Sequence, residues 1–200
     1  MVSSTFYQVF IDPLLYKVHS NAVSLIPKGS KVIDIACGNG TLALKISSEA
    51  AHVTGIDLSA ESINYAKKRA EKTGKSNVEF LEMDATDLSR FKDSEFDVAT
   101  ISMAVHQFRA ETALRILKQL KIISKQVIVI DYNFPLPGEI IGLLIRTIEL
   151  FAGKEHNRNF KSYLKLGGAH AFAESIGLKL ENSYGSRKSI FMIGKSKSTA

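Results

Sequence analysis

The 200-residue chain is 45% apolar and 23% charged, the balance of a globular protein with a single core and not of a disordered or fibrous one. Its lone cysteine, Cys37, excludes an internal disulfide and a multi-cysteine metal site. The net charge of +6 resides in residues 153–200, which hold 9 Lys and Arg against 3 Asp and Glu; with no tight basic cluster, this reads as a solvated face and argues against a nucleic-acid partner.

Residues 1–10 have neither the basic start nor the apolar core of a secretory leader. The most apolar stretch, 140–151, is broken by Arg146 and Glu149 and falls short of the ~20 residues of a membrane span, so a cytoplasmic protein is expected. Residues 11–26 read as a helix, with Leu14, Leu15, Val18, Ala22 and Leu25 at three- and four-residue spacings. With Phe6, Tyr7 and Tyr16 near it, the stretch 1–28 is expected to act as a helical lid. Strand and helix patterns then alternate. Strands are predicted at 31–36, 53–57, 78–81, 96–102 and 127–130, and helices at 41–48, 59–72 (capped by Ser59 and stopped at Gly74), 113–123 and 138–151. The apolar arc of the last helix is wide, so one face is expected on the sheet with some left over for a partner or a pocket, and Glu139, Gly142, Arg146 and Glu149 lie on the other side. Residues 153–177 predict two short helices around Gly167-Gly168 and a possible insert in the acceptor pocket. The runs 178–184 and 189–194 predict a terminal hairpin. The order implies one α/β domain over residues 1–200, doubly wound, with a mostly parallel seven-stranded sheet, helices on both faces and a C-terminal antiparallel hairpin.

The chemistry concentrates where the first strand runs into Cys37-Gly-Asn-Gly40 and a helix begins directly afterwards. Gly38 and Gly40 let the backbone approach a ligand, and the helix start offers free N–H groups. Asp57 ends the next strand, where an acid accepts from ribose hydroxyls and disfavours a 2′-phosphate. Asp34 lies inside the first strand, where a buried carboxylate needs a specific partner such as an ammonium group. Asp84 and Ala85 follow the third strand and are placed to read an adenine edge. The glycines alone also fit a nicotinamide fingerprint, Gly38-x-Gly40-x-x-Ala43.

Taken together, residues 32–40, 55–59, 81–85 and 96–102 resemble, in order, the first four motifs of the class I S-adenosylmethionine-dependent methyltransferases, in the small-molecule branch that includes quinone-biosynthesis enzymes. The resemblance implies S-adenosylmethionine as cofactor and a Rossmann-like methyltransferase fold. It places Gly38 and Gly40 close to the methionine moiety, with Asp34 holding its ammonium directly or indirectly, Asp57 on the ribose hydroxyls, and Asp84 with the Ala85 backbone at adenine; Ala36, Cys37, Leu58 and Ser102 are further cofactor-binding candidates. Ala36 stands where the family often has glycine. A small-molecule or lipid-like acceptor is implied, with no appended recognition domain. A non-catalytic or RNA-associated cofactor-binding module is the alternative, and a nicotinamide oxidoreductase a further one.

Methyl transfer from a sulfonium makes no residue type compulsory, because alignment and exclusion of water do most of the work. Residues 103–108 lack the Asn/Asp-Pro-Pro-aromatic tetrad of enzymes that methylate exocyclic amines of nucleic-acid bases. His106 in this segment and His156 in the insert are the candidate general bases, since imidazole titrates near neutrality. No metal is expected.

Overall fold

The computed structural model describes residues 12–151, 153–184 and 189–196. Seven strands form one sheet: β1 (Lys31–Ile35), β2 (His52–Asp57), β3 (Val78–Glu82), β4 (Phe96–Ser102), β5 (Ser124–Tyr132), β6 (Leu180–Tyr184) and β7 (Phe191–Ser196). Their spatial order is β3-β2-β1-β4-β5-β7-β6. The strands from β1 to β5 pair in parallel, and β7 runs antiparallel to both β5 and β6. Among the described strands, the hairpin thus contributes the one that is reversed, between two that run the common way.

Around the sheet lie α1 (Asp12–Ser24), α2 (Thr41–Ile46), α3 (Ala60–Lys72), α4 (Ala110–Ile123), α5 (Glu139–Phe151), α6 (Lys154–Leu166) and α7 (Gly168–Glu174). Local chemistry accounts for several ends. Ser59 Oγ accepts from the Ser62 N–H and starts α3, and Gly74, at φ 64°, takes the left-handed turn that closes it. Helix α4 begins three residues before its expected start and runs straight into β5, where the Ser124 hydroxyl donates to the Leu120 carbonyl. The middle strands β1 and β5 carry Val32, Ile33, Ile35, Val127, Ile128, Val129 and Ile130, all buried, as strands covered on both faces require.

Helix α5 departs from expectation. Ile140, Leu143, Leu150 and Phe151 are exposed, whereas Gly142, Ile145 and Glu149 are buried. The helix packs on α6, and its inward face is chosen by Glu149, which accepts hydrogen bonds from Tyr132 and His156. Once buried, this carboxylate needs those partners, because a buried charge left unpaired costs more than an exposed aliphatic side chain. Phe6 and Tyr7 lie outside the described residues. Tyr16 is exposed, with the Lys45 ammonium 3.5 Å from its ring centroid.

Candidate functional site

The strand order reverses between β1 and β4, and a cleft opens at the carboxyl ends of the strands there. Its volume is about 1110 Å³, larger than the ~300–1,000 Å³ that one small ligand commonly occupies. Asp34, Ala36, Cys37, Gly38, Asp57, Leu58, Asp84, Ala85 and Ser102 all line it.

The parallel register sets Asp34 between Gly55 and Thr100. The Thr100 hydroxyl donates to Asp34 Oδ1 at 2.6 Å, while the buried Oδ2 has no partner among the described residues. Burial raises this carboxyl to about 7; the Thr100 hydrogen bond opposes the shift and the charge of Asp57 adds to it. A buried acceptor atom at a cleft wall fits an ammonium group, which would supply both the missing donor and the missing charge.

Asp57 points at the glycine bend. Its Oδ2 accepts from the Gly38 N–H at 2.8 Å and its Oδ1 from the Ser59 N–H at 2.9 Å. Each carboxylate oxygen has two lone pairs, so both retain capacity for a diol. The two glycines serve different ends. At Gly38 (φ 52°) a methyl group would meet nothing within 4 Å, so the bend is bare and open to a ligand. At Gly40 (φ 74°) a methyl would lie 2.6 Å from Phe80 Cζ and 3.0 Å from Ala66 Cβ, and this residue does not line the cleft. Gly40 is required by packing beneath the loop. Ala36 carries a left-handed φ of 52°, a conformation that costs a non-glycine residue roughly 1–2 kcal/mol. Burial, aided by Asp34 and Asp57, pushes the Cys37 thiol far up, so the sulfur is an inert part of the wall.

On the far side of the cleft, Asp84 Oδ1 accepts from the Thr86 N–H at 2.8 Å. Gln119 of α4 holds this loop: its Nε2 donates to the Thr86 carbonyl at 2.9 Å and its Oε1 accepts from the Leu88 N–H at 2.7 Å. Ser102 shares a 3.0 Å hydrogen bond with Nε2 of His19, a buried residue of α1 that, like Leu15, reaches the cleft. Burial first, and Lys45 second, lower His19 to about 4 and keep it neutral. Neither Gln119 nor His19 was singled out from sequence. The one available signal was a histidine beside Val18 on the apolar stripe of its helix.

The two histidine candidates lie elsewhere. His106 is fully buried in the short turn Val105–Gln107, and His156 is half-buried on α6; neither lines the cleft, nor does any residue of 153–177. His106 Nδ1 bonds Asp131 Oδ1 at 2.6 Å, and His156 Nε2 bonds Glu149. Burial disfavours a charged His106, but Asp131 and Glu149 together outweigh it and raise its pKa. The neighbours of His106, Gln107 and Phe108, do face the cleft. The carboxylate of Asp131 holds the imidazole inward.

A family model described as a methyltransferase domain matches residues 26–172. The chain belongs to the S-adenosylmethionine-dependent methyltransferase family. That membership decides between the two readings of the glycine pattern in favour of the sulfonium cofactor. The domain is 28% identical over 138 residues to a demethylmenaquinone methyltransferase of Clavibacter sepedonicus, covering 66% of this chain and 53% of that protein. It is 32% identical over 72 residues to a ubiquinone biosynthesis O-methyltransferase of Acinetobacter baylyi, covering 36% and 30%. The chain thus spans about half the length of the first of these curated relatives. In fold, the methyltransferase domain is similar to a protein of Pyrococcus horikoshii (TM-score 0.70, 19% identity, 98% of this chain and 100% of that one). It is also similar to magnesium protoporphyrin IX methyltransferase from Synechocystis, solved with bound SAH (TM-score 0.66, 16% identity, 99% and 89%). No helix among the described residues is long and apolar enough to cross a membrane.

Proposed function

We propose that this chain transfers a methyl group from S-adenosylmethionine to a small, lipid-like acceptor of the quinone-precursor class, in a cytoplasmic setting. The observation that carries the reading is one cleft lined by the unpartnered Asp34 oxygen, the bare bend at Gly38 and the Asp57 carboxylate bonded to that bend. Leu15, Met103, Ala104 and Phe108 give the same cleft an apolar wall, suited to an acceptor with little polar surface. The quinone-pathway names of the two relatives support the acceptor class.

When bound, the cofactor supplies a methyl group already activated by a sulfonium. Asp34 takes the ammonium of the amino-acid end, Asp57 the ribose hydroxyls, and the loop of Asp84 and Ala85 the adenine edge. Met103 holds a left-handed φ of 54° at the tip of β4 and turns the following segment across the acceptor side. That segment aligns the acceptor and keeps water out, the two contributions that matter most for this displacement. Neutral His19 fixes the Ser102 hydroxyl from above, and α1 serves as part of a lid over the cleft.

Calorimetry with S-adenosylmethionine tests the cofactor half. Asp57→Ala removes two hydrogen bonds to a charged acceptor, worth about 1.5–3 kcal/mol each, and is expected to weaken binding at least ~10-fold. Transfer of labelled methyl to an alkylated hydroquinone, extracted into organic solvent, tests the acceptor half. Unimpaired binding by Asp57→Ala refutes the cofactor geometry; label recovered in RNA or protein refutes the acceptor class.

A further inference from the structure

Behind the acceptor wall, outside the cleft, lies a polar cluster that the methyl-transfer reading does not use. His106 Nε2, Glu149 and His156 each present one donor atom, all within 4.8 Å of one another. They come from three elements: the turn after β4, helix α5 and helix α6. His106 is wholly buried, yet its Nε2 has no hydrogen-bond partner among the described residues; Glu149 Oε2 is 3.8 Å away. A ring nitrogen left unpaired in such a place costs free energy unless something binds it.

The surroundings prepare each atom as a ligand. Asp131 Oδ1 accepts from His106 Nδ1–H at 2.6 Å, which orients the ring so that Nε2 is the nitrogen at the cluster, where a bound ion would take the place of its proton. The Tyr132 hydroxyl donates to Glu149 Oε1 at 2.8 Å and leaves Oε2 for the cluster. Tyr132, Phe160 and Tyr163 pack around the His106 ring and keep the site dry. The His156 side chain is 21% exposed and gives a route in from solvent.

From this we propose that His106, Glu149 and His156 form a three-ligand site for a divalent first-row transition ion, best matched by Zn²⁺. Two imidazoles and a carboxylate, with a carboxylate behind one imidazole, are a donor set that zinc favours, with a fourth position left for water. A tetrahedral ion with bonds of ~2.0–2.1 Å holds its ligand atoms roughly 3.3–3.4 Å apart, so the 3.8 Å between His106 Nε2 and Glu149 Oε2 needs to close by about half an ångström, the widest separation, within 4.8 Å, by up to roughly 1.4 Å, and the hydrogen-bonded pair His156 Nε2 and Glu149 Oε2 must open to admit the ion. The ion ties the turn bearing Gln107 and Phe108 to α5 and α6, and so fixes the acceptor wall from behind. The chain's lone cysteine gave no hint of it, because the ligands are spread over 51 residues, from position 106 to 156.

Titration of the metal-free chain with Co²⁺ and with Zn²⁺ tests the site without reference to methyl transfer. The expected result is one ion per chain, the intense visible bands of four-coordinate Co²⁺, their displacement by Zn²⁺, and a rise in Tm. His156→Ala, at the half-exposed ligand, and Glu149→Gln are expected to lose the bands. Asp131→Asn is expected to weaken affinity ~10–100-fold, as loss of a second-layer partner does. His52→Ala, on a surface pair with Glu79, should leave all of this unchanged. Absence of cobalt bands in the wild-type chain overturns the proposal and leaves the cluster as a hydrogen-bonded network only. Equal affinity in folded His156→Ala, checked by circular dichroism, overturns it as well. S-adenosylmethionine binding, measured on the same samples, reports separately on the cofactor cleft.

Discussion

Asp34→Asn offers the sharpest measurement of what the cofactor cleft demands. In the ligand-free protein the Asp34 carboxyl is raised from an ordinary 3.8 to about 7. Below pH 4 it is protonated in both the folded and unfolded chain, and its contribution is fully present. Between pH 4 and 7 the unfolded chain ionises while the folded one does not. The folded state then holds the extra proton, and stability falls as pH rises, levelling off above 7. At ~1.36 kcal/mol per pH unit, the span from 3.8 to about 7 amounts to about 4 kcal/mol. The amide introduced by Asp34→Asn cannot titrate, so the variant's stability should lack this fall and exceed the wild type's at pH 7.5 relative to pH 4.5. Urea unfolding of both proteins at pH 4.5, 6 and 7.5 isolates the difference. An ammonium beside Oδ2 reverses the preference, so cofactor binding below pH 7 should release one proton. Affinity should then rise by up to ~10-fold per pH unit as pH approaches about 7 from below, and the dependence should vanish in Asp34→Asn. Parallel stability profiles for the two proteins would show Asp34 ionised in the empty fold and refute the reasoning.

The two loop glycines should separate packing from ligand contact. Gly40→Ala adds a left-handed alanine, roughly 1–2 kcal/mol, to a clash with Phe80 at 2.6 Å, and overpacking costs typically ~1–3 kcal/mol; Tm should drop sharply. Gly38→Ala meets nothing within 4 Å, so it should lose only the backbone part of that stability but most of the cofactor affinity, measured by calorimetry. Similar Tm losses in the two variants would refute the distinction. Gln119→Ala removes the side-chain hydrogen bonds that hold the loop of Asp84 and Ala85. It should cost about 1–3 kcal/mol in urea unfolding and weaken cofactor binding several-fold, although Gln119 itself does not line the cleft. Unchanged affinity would mean that the loop needs no such support.

The parts of this protein that were legible in sequence are those set by local rules. Alternating apolar runs and amphipathic stretches follow the periods of strand and helix, so the element order, the parallel sheet and the reversed last strand could be read directly. Asp34, Gly38 and Asp57 were legible for a related reason: strand-end residues in a doubly wound sheet converge on one point whatever lies between them. Long-range competition decided the rest. Gly40 and Gly38 look alike in sequence, and only the ring of Phe80, forty residues on, tells them apart. The inward face of α5 was chosen by one carboxylate with partners on β5 and α6, against the apolar arc on the wheel. His106 and His156, each read as a separate base, became neighbours only when three elements met around Glu149. Periodicity records which face of an element prefers water; it carries no information on which distant polar group will make burial of the other face affordable.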